Sequence, residues 1–166
     1  MPSDKEMTAK FWSSLHGDRT FMLGVEGADN GHFRPMTAIT EHDTGGPIWI
    51  FTSMDGVVAK SLGRGTKRAM AAYSAKGYEL FATVHGTIAL DMDREMIDKL
   101  WNPFVAAWFE GGKTDPKLAL LRFDAERGEI WLNENSFVTG VKMLFGADPK
   151  EEYQDKVAKV AMGGRR

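Results

Sequence analysis

A chain of 166 residues with a net charge of −2 is long enough for one domain with a full core and too short for two ordinary ones. The charge argues against a polyanion-binding surface, and the absence of cysteine excludes disulfides, thiolate metal ligands and thiol chemistry. Met1 to Lys10 is polar with mixed charge, unlike a signal peptide, and no apolar run approaches the ~18 residues of a membrane span. The expectation is a soluble cytoplasmic protein with neither nucleic acid nor membrane as partner.

Ser3-Asp4-Lys5-Glu6 has the spacing of a capping box, in which Ser3 and Glu6 satisfy each other's free amides. Met7, Phe11, Trp12 and Leu15 follow at helical spacing, so a helix is predicted over residues 1–16 and Gly17 is its stop. Thr20 to Glu26 reads as a strand, and Gly27 to Gly31 as the turn after it. His32 to Thr40 reads as a second strand, in which Pro35 cannot donate a ladder hydrogen bond and so marks an edge or a bulge. After the turn Asp43-Thr44-Gly45-Gly46-Pro47, Ile48 to Ser53 is almost wholly apolar, the pattern of a strand buried on both faces.

Val57 to Leu62 suits a short helix stopped by Gly63-Arg64-Gly65. Arg68 to Ala75 and Leu80 to Leu90 resume the strand pattern. Asp93 is placed to cap a helix carrying Met96, Ile97, Leu100 and Trp101, and Asn102-Pro103 to cap and start another carrying Phe104, Val105 and Trp108. Helical spacing makes these aromatics core or subunit-interface packing. Leu118 to Asp124 and Glu129 to Asn133 read as a hairpin turning at Glu126-Arg127-Gly128. The chain from Ser136 is helical in pattern through Phe137, Val141, Leu144 and Phe145. The predicted organisation is one domain over 1–166, mainly β, a β-barrel with flanking helices. It comprises an N-terminal helix at 1–16, the barrel at 17–134 with inserted helices, and a helical tail at 135–166.

Two places carry chemistry. Arg34 offers a planar fork of donors that matches phosphate oxygens, and Thr52-Ser53 at a strand end can complete the shell with hydroxyls and amides. The same residues also fit plain structure, an arginine on a sheet edge and ordinary turn chemistry. His16, His32, His42 and His85 have no metal-ligand spacing, so no metal site is predicted. There is no Gly-x-Ser-x-Gly elbow, and no side chain is singled out as a catalytic acid or base.

Phe11-Trp12, Arg34-Pro35-Met36, Trp49-Ile50-Phe51-Thr52-Ser53, His85-Gly86-Thr87, Leu100-Trp101-Asn102-Pro103 and Ala107-Trp108-Phe109 run in one order between about Phe11 and Trp131. In that order the chain resembles the FMN-binding split barrels of the pyridoxamine 5′-phosphate oxidase-like family, and within it the general stress protein 26 branch. The resemblance implies a homodimer with FMN sites at the subunit interface. It assigns Arg34 to the FMN phosphate or ribityl chain and the backbone of Pro35, Met36 and Thr37 to the isoalloxazine. Phe51, Thr52 and Ser53 become the strand end beneath the phosphate.

Many relatives carry a phosphate-binding lysine where this chain has Val58. Lys60 is the nearest lysine, about 200° further round a helix, and Arg64 or Lys67 are candidates to compensate. On this pattern, lysine restored at Val58 should tighten FMN binding. Phe81 stands where related oxidases carry a polar flavin contact. The implied function is a flavin-dependent oxidoreductase acting with a small-molecule redox partner. The alternatives are a non-catalytic flavin-binding or sequestering stress protein and a cofactor-free dimeric barrel. Pyridoxamine 5′-phosphate oxidase activity itself is not expected, because the basic C-terminal substrate motif of the true oxidases is not found.

Overall fold

A computed structural model of the protein describes residues 2–133 and 157–163. Helix α1 (Asp4–Asp18) opens with the predicted capping box: Glu6 N–H donates to Ser3 Oγ, and Ser3 N–H donates to the Glu6 carboxylate at 2.7 Å. Its buried face is Met7, Phe11, Trp12 and Leu15. The helix runs past Gly17 and ends with Arg19 in the left-handed region at φ 60°, whose N–H returns to the Leu15 carbonyl. Asp18 is thereby turned toward the sheet, where its carboxylate accepts from the Tyr73 hydroxyl at 2.8 Å and the Lys76 amide at 3.0 Å.

Those two donors, the Lys76 amide first, hold the Asp18 carboxyl below its usual value of 3.8. Asp18→Ala leaves the Tyr73 hydroxyl without this acceptor, and is expected to cost about 1–2 kcal/mol in urea unfolding at neutral pH. A carboxyl whose folded pKa is depressed stabilises above the unfolded value and loses that effect as pH falls through the folded value. The gap between wild type and variant should therefore narrow as pH falls below the ordinary carboxyl value of 3.8.

The strands are β1 (Thr20–Val25), β2 (Arg34–Thr37), β3 (Ile39–His42), β4 (Gly45–Ser53), β5 (Thr66–Ser74), β6 (Leu80–Leu90), β7 (Leu118–Leu132) and β8 (Val157–Ala161). They form an eight-stranded antiparallel sheet in the order β2-β1-β5-β6-β7-β4-β3, with β8 also on β7. The two ends of that order, β2 and β3, are consecutive in the chain, so the sheet curls back on itself as a half-open barrel. The junction is Ala38, whose N–H makes the last bond in the β1 register, to the Arg19 carbonyl at 2.7 Å, before the strand breaks from β1 and Ile39 pairs with Trp49 of β4. This break makes the single strand predicted over His32 to Thr40 into two. The predicted turn before Ile48 is also shorter, because Gly45 and Gly46 enter β4 at φ 124° and 102°, and the Trp12 ring lies 3.5 Å from where a Cβ on Gly45 would stand.

The hairpin predicted between Leu118 and Asn133 is instead the continuous strand β7. His85 pairs with Arg127 and Gly86 with Ala125, leaving Glu126 as the extra residue of a β-bulge. Gly128 sits inside the ladder opposite Val84, against Met162. Bulge and turn share the same residue types, which is why the local pattern misleads. The helical tail is likewise corrected where the structure describes it. Val157–Ala161 is β8, with Ala158 and Val160 buried at a period of two. The helical pattern through Phe137, Val141, Leu144 and Phe145 lies outside the described residues. β7 outruns β4: one of its edges pairs β4 over Leu118 to Phe123 and β8 over Arg127 to Trp131.

Helix α2 (Val57–Leu62) has the predicted bounds. In α3 (Arg94–Leu100) the Asp93 carboxylate caps the amides of Glu95 and Met96, and in α4 (Pro103–Ala106) Asn102 caps those of Phe104 and Val105. The main core fills the barrel under α1 and α2 with side chains such as Phe11, Leu23, Ile50, Leu80 and Phe123. A second cluster under α3 and α4 gathers Trp49, Ile97, Val105, Phe109 and Leu120. β4 therefore buries Ile48 and Ile50 in one core and Trp49 in the other, as its apolar run predicts. Among the described residues no helix is long and apolar enough to cross a membrane.

Candidate functional site

β2 stands at the sheet edge, as Pro35 requires, and its alternation divides the predicted stretch between two faces. Arg34 pairs with Leu23, and Met36 with Phe21, both core residues of β1. Arg34 and Met36 thus turn inward, while Pro35 and Thr37 are exposed. The Arg34 guanidinium gives one arm to Asp29, with Nη2 3.0 Å from Oδ2. Its other nitrogen, Nη1, is buried and has no hydrogen-bond partner. A desolvated cationic donor left open is costly and is the strongest sign of an acceptor to come.

Asp29 is presented by the turn after β1, where Asp29 and Asn30 lie at φ 51° and 55°. Lys67 reaches the same turn: its Nζ is 3.2 Å from where a Cβ on Gly27 would stand. Two cations, Arg34 and Lys67, therefore converge on one turn. Lys67 carries a weaker sequence signal than Lys60, because its partner is a glycine loop distant in the chain.

β4 lies beside β2. Ser53 Oγ accepts from the Asp55 amide at 3.2 Å, and the Gly56 amide donates to the Ser53 carbonyl at 2.9 Å. A Cβ at Gly56 would come within 3.0 Å of that carbonyl and 3.9 Å of Thr52 Oγ1, so the turn closes tightly over the strand end. Phe51 points the other way, edge-on to Trp101 at 6.2 Å in the second core. Lys60 is exposed on α2, whereas Val58 is only 3 % exposed and belongs to the main core. The position that the resemblance gives to a phosphate lysine is here a packing position.

The aromatics of the α3–α4 region separate in the same way. Val105 is buried and Trp101 half-buried, but Phe104 and Trp108 are 83 % and 84 % exposed. On the sheet's outer face Phe81 is exposed and stacks on Tyr78 at 6.3 Å. Among the described residues no three His, Asp or Glu side chains gather as metal ligands.

An antiparallel barrel left open along one side, with helices flanking it and a cationic notch at the β2 edge, defines a split barrel. Residues 6–154 match the family described as pyridoxamine 5′-phosphate oxidase like, and the chain belongs to that family. A general stress family protein of Xanthomonas campestris pv. campestris is 54% identical over 82% of this chain and 93% of its own, with a TM-score of 0.76. The general stress FMN/FAD binding protein of Xanthomonas citri is 56% identical over 80% of this chain and 92% of its own, with a TM-score of 0.75. General stress protein 26 of Jannaschia sp. CCS1 is 31% identical over 93% of this chain and 98% of its own, also with a TM-score of 0.75. No curated protein matches.

Proposed function

We propose that the protein is a flavin-dependent oxidoreductase that holds FMN at the interface of a homodimer. The observation that carries this is the buried, unpartnered Nη1 of Arg34 at the notch that Lys67 also approaches. A terminal phosphate dianion matches one arginine fork and one lysine. The Xanthomonas citri relative, named as FMN/FAD binding, supports the flavin.

In this reading Arg34 and Lys67 hold the phosphate, with Thr52, Ser53 and the turn amides completing its shell and Lys60 adding charge from the solvent side. The backbone of Pro35, Met36 and Thr37 lines the ring, and Phe51 acts indirectly, anchoring the β4 end on Trp101. Bound flavin supplies the electron transfer; the chain binds it, orients it and excludes water. The homodimer draws support from the outer sheet face. Ser74, Phe81, Trp131 and Val157 are in register across four strands, with Met22 on the same face, and Phe104 and Trp108 add a second apolar patch.

Visible absorption of the purified protein and an FMN fluorescence titration test the cofactor. Arg34→Ala should weaken FMN about ten- to hundredfold, the worth of a charge-assisted hydrogen bond of roughly 1.5–3 kcal/mol, with circular dichroism unchanged. Unchanged affinity would remove Arg34 from the site. Bound flavin that neither NADH nor NADPH reduces would make the protein a carrier or sequestering protein. One observation favours a cofactor-free dimeric barrel, the occupation of an Arg34 arm by Asp29. A colourless protein indifferent to FMN well above micromolar would establish it.

A further inference from the structure

The outer sheet face changes character along one row. Gly24 of β1, Met70 of β5, His85 of β6 and Arg127 of β7 stand side by side in register. Gly24 has no side chain to fill its place, and Phe33 folds over it. A Cβ there would meet both the Phe33 ring and the Gly31 carbonyl at 2.9 Å. The outcome is a recess of about 290 Å³ walled by Phe33 and Met70 and closed at the other end by Arg68, His85 and Arg127.

Arg68 is held by Glu126, the bulged residue of β7, at 2.8 Å, while Arg127 makes no ion pair among the described residues. Glu26 lies on the lining with Val25, next to Gly24. Burial first, then Arg127 and Arg68, hold the His85 imidazole below its ordinary value of 6.5, so the ring is neutral at pH 7.5. The recess falls just under the ~300–1,000 Å³ of pockets for drug-sized ligands, room for one ring and not for a flavin.

We propose that this recess is a second binding site, for a small aromatic carboxylate whose ring packs between Phe33 and Met70 and whose acid group is held by Arg127 and Arg68. It stands apart from the Arg34 notch, on the opposite face of the sheet. Apolar walls select the ring, and two guanidinium forks select the planar carboxylate. Protonation of His85 adds a third positive group at the end of the recess that Arg68 and Arg127 line.

The test is calorimetric titration of the full chain with benzoate, acetate and inorganic phosphate, with and without saturating FMN. Benzoate should bind saturably and at least tenfold more tightly than acetate or phosphate. Its affinity should rise as pH falls from 7.5 to 5.5, and the His85 ring signal should move in NMR. Arg127→Gln, a surface change, should weaken benzoate at least tenfold while leaving the melting temperature and FMN affinity as they were. Absence of saturation, equal affinity for acetate or phosphate, or indifference to Arg127→Gln would overturn the site. Displacement of benzoate by FMN would also overturn it, by placing benzoate in the flavin site. Failure to bind FMN, with benzoate behaving as described, would remove the flavin reading alone.

Discussion

Gly86→Ala is expected to lower stability by about 3 kcal/mol or more, at the upper end of overpacking, and to drop the melting temperature by roughly 6–12 °C. A Cβ on Gly86 would stand 2.8 Å from the Asp124 carbonyl carbon and 3.1 Å from Ala125 Cα, with the Asp124 oxygen closer still. Every one of these atoms is backbone, so no side chain can swing aside. Nor can β6 retreat, because Gly86 pairs with Ala69 of β5 on one side and Ala125 of β7 on the other. Gly17→Ala is the control: nothing lies within 4 Å of its Cβ position and it sits inside α1. There alanine should stabilise by about 0.5–1 kcal/mol. Urea unfolding of both variants decides the matter, and a Gly86→Ala loss below about 0.5 kcal/mol would mean that the bulge yields.

Val58→Lys places a lysine where the resemblance implies one, and is expected to cost about 3 kcal/mol without tightening FMN. Val58 is the second residue of α2 and packs in the main core. A lysine there must bury its ammonium, against the positive end of the helix, or drag its stem out of the core. The pH dependence separates these outcomes. A buried lysine has a depressed folded pKa, so the deficit is greatest in the neutral range and shrinks as pH rises toward the unfolded value of about 10.4. A pH-independent deficit would mean a side chain that reaches solvent, and stronger FMN binding would overturn the packing argument.

Much of the fold is legible locally because its signals are local. Leu80–Leu90 alternates cleanly and keeps its bounds, as does the α2 segment between its glycines. Asp93 and Asn102 cap the amides that their spacing from the apolar runs requires. What escapes the sequence depends on partners far along the chain. Glu126-Arg127-Gly128 has turn composition, and only the register with His85 and Gly86 makes it a bulge. Val157–Ala161 is a strand because the far half of β7 offers it an edge.

The candidate site divides along the same line. Arg34 is visible from its chemistry beside Pro35, and Thr52-Ser53 from their place at a strand end. The Asp29 pairing and the approach of Lys67 depend on how the Gly27 to Gly31 turn folds over, at φ values that residue type alone does not dictate. Val58 shows the limit of position-by-position transfer: counting from Thr52 reaches a residue whose side chain belongs to the barrel interior.

The shared edge of β7 bears on how the protein stays a discrete particle. Without Val157–Ala161, the edge from Arg127 to Trp131 would show a row of unsatisfied amides and carbonyls beside Trp131 and Ile130. Such a ledge is a template for a stray strand of another molecule, and hence for amyloid-like growth. β8 acts as a sacrificial cover strip, and Lys159 on its outer side sets a charge where a further strand would add. Edge-to-edge addition of a foreign strand along this half of β7 is thus restrained by the chain's own β8, which leaves the apolar outer face of the sheet free to meet a second copy.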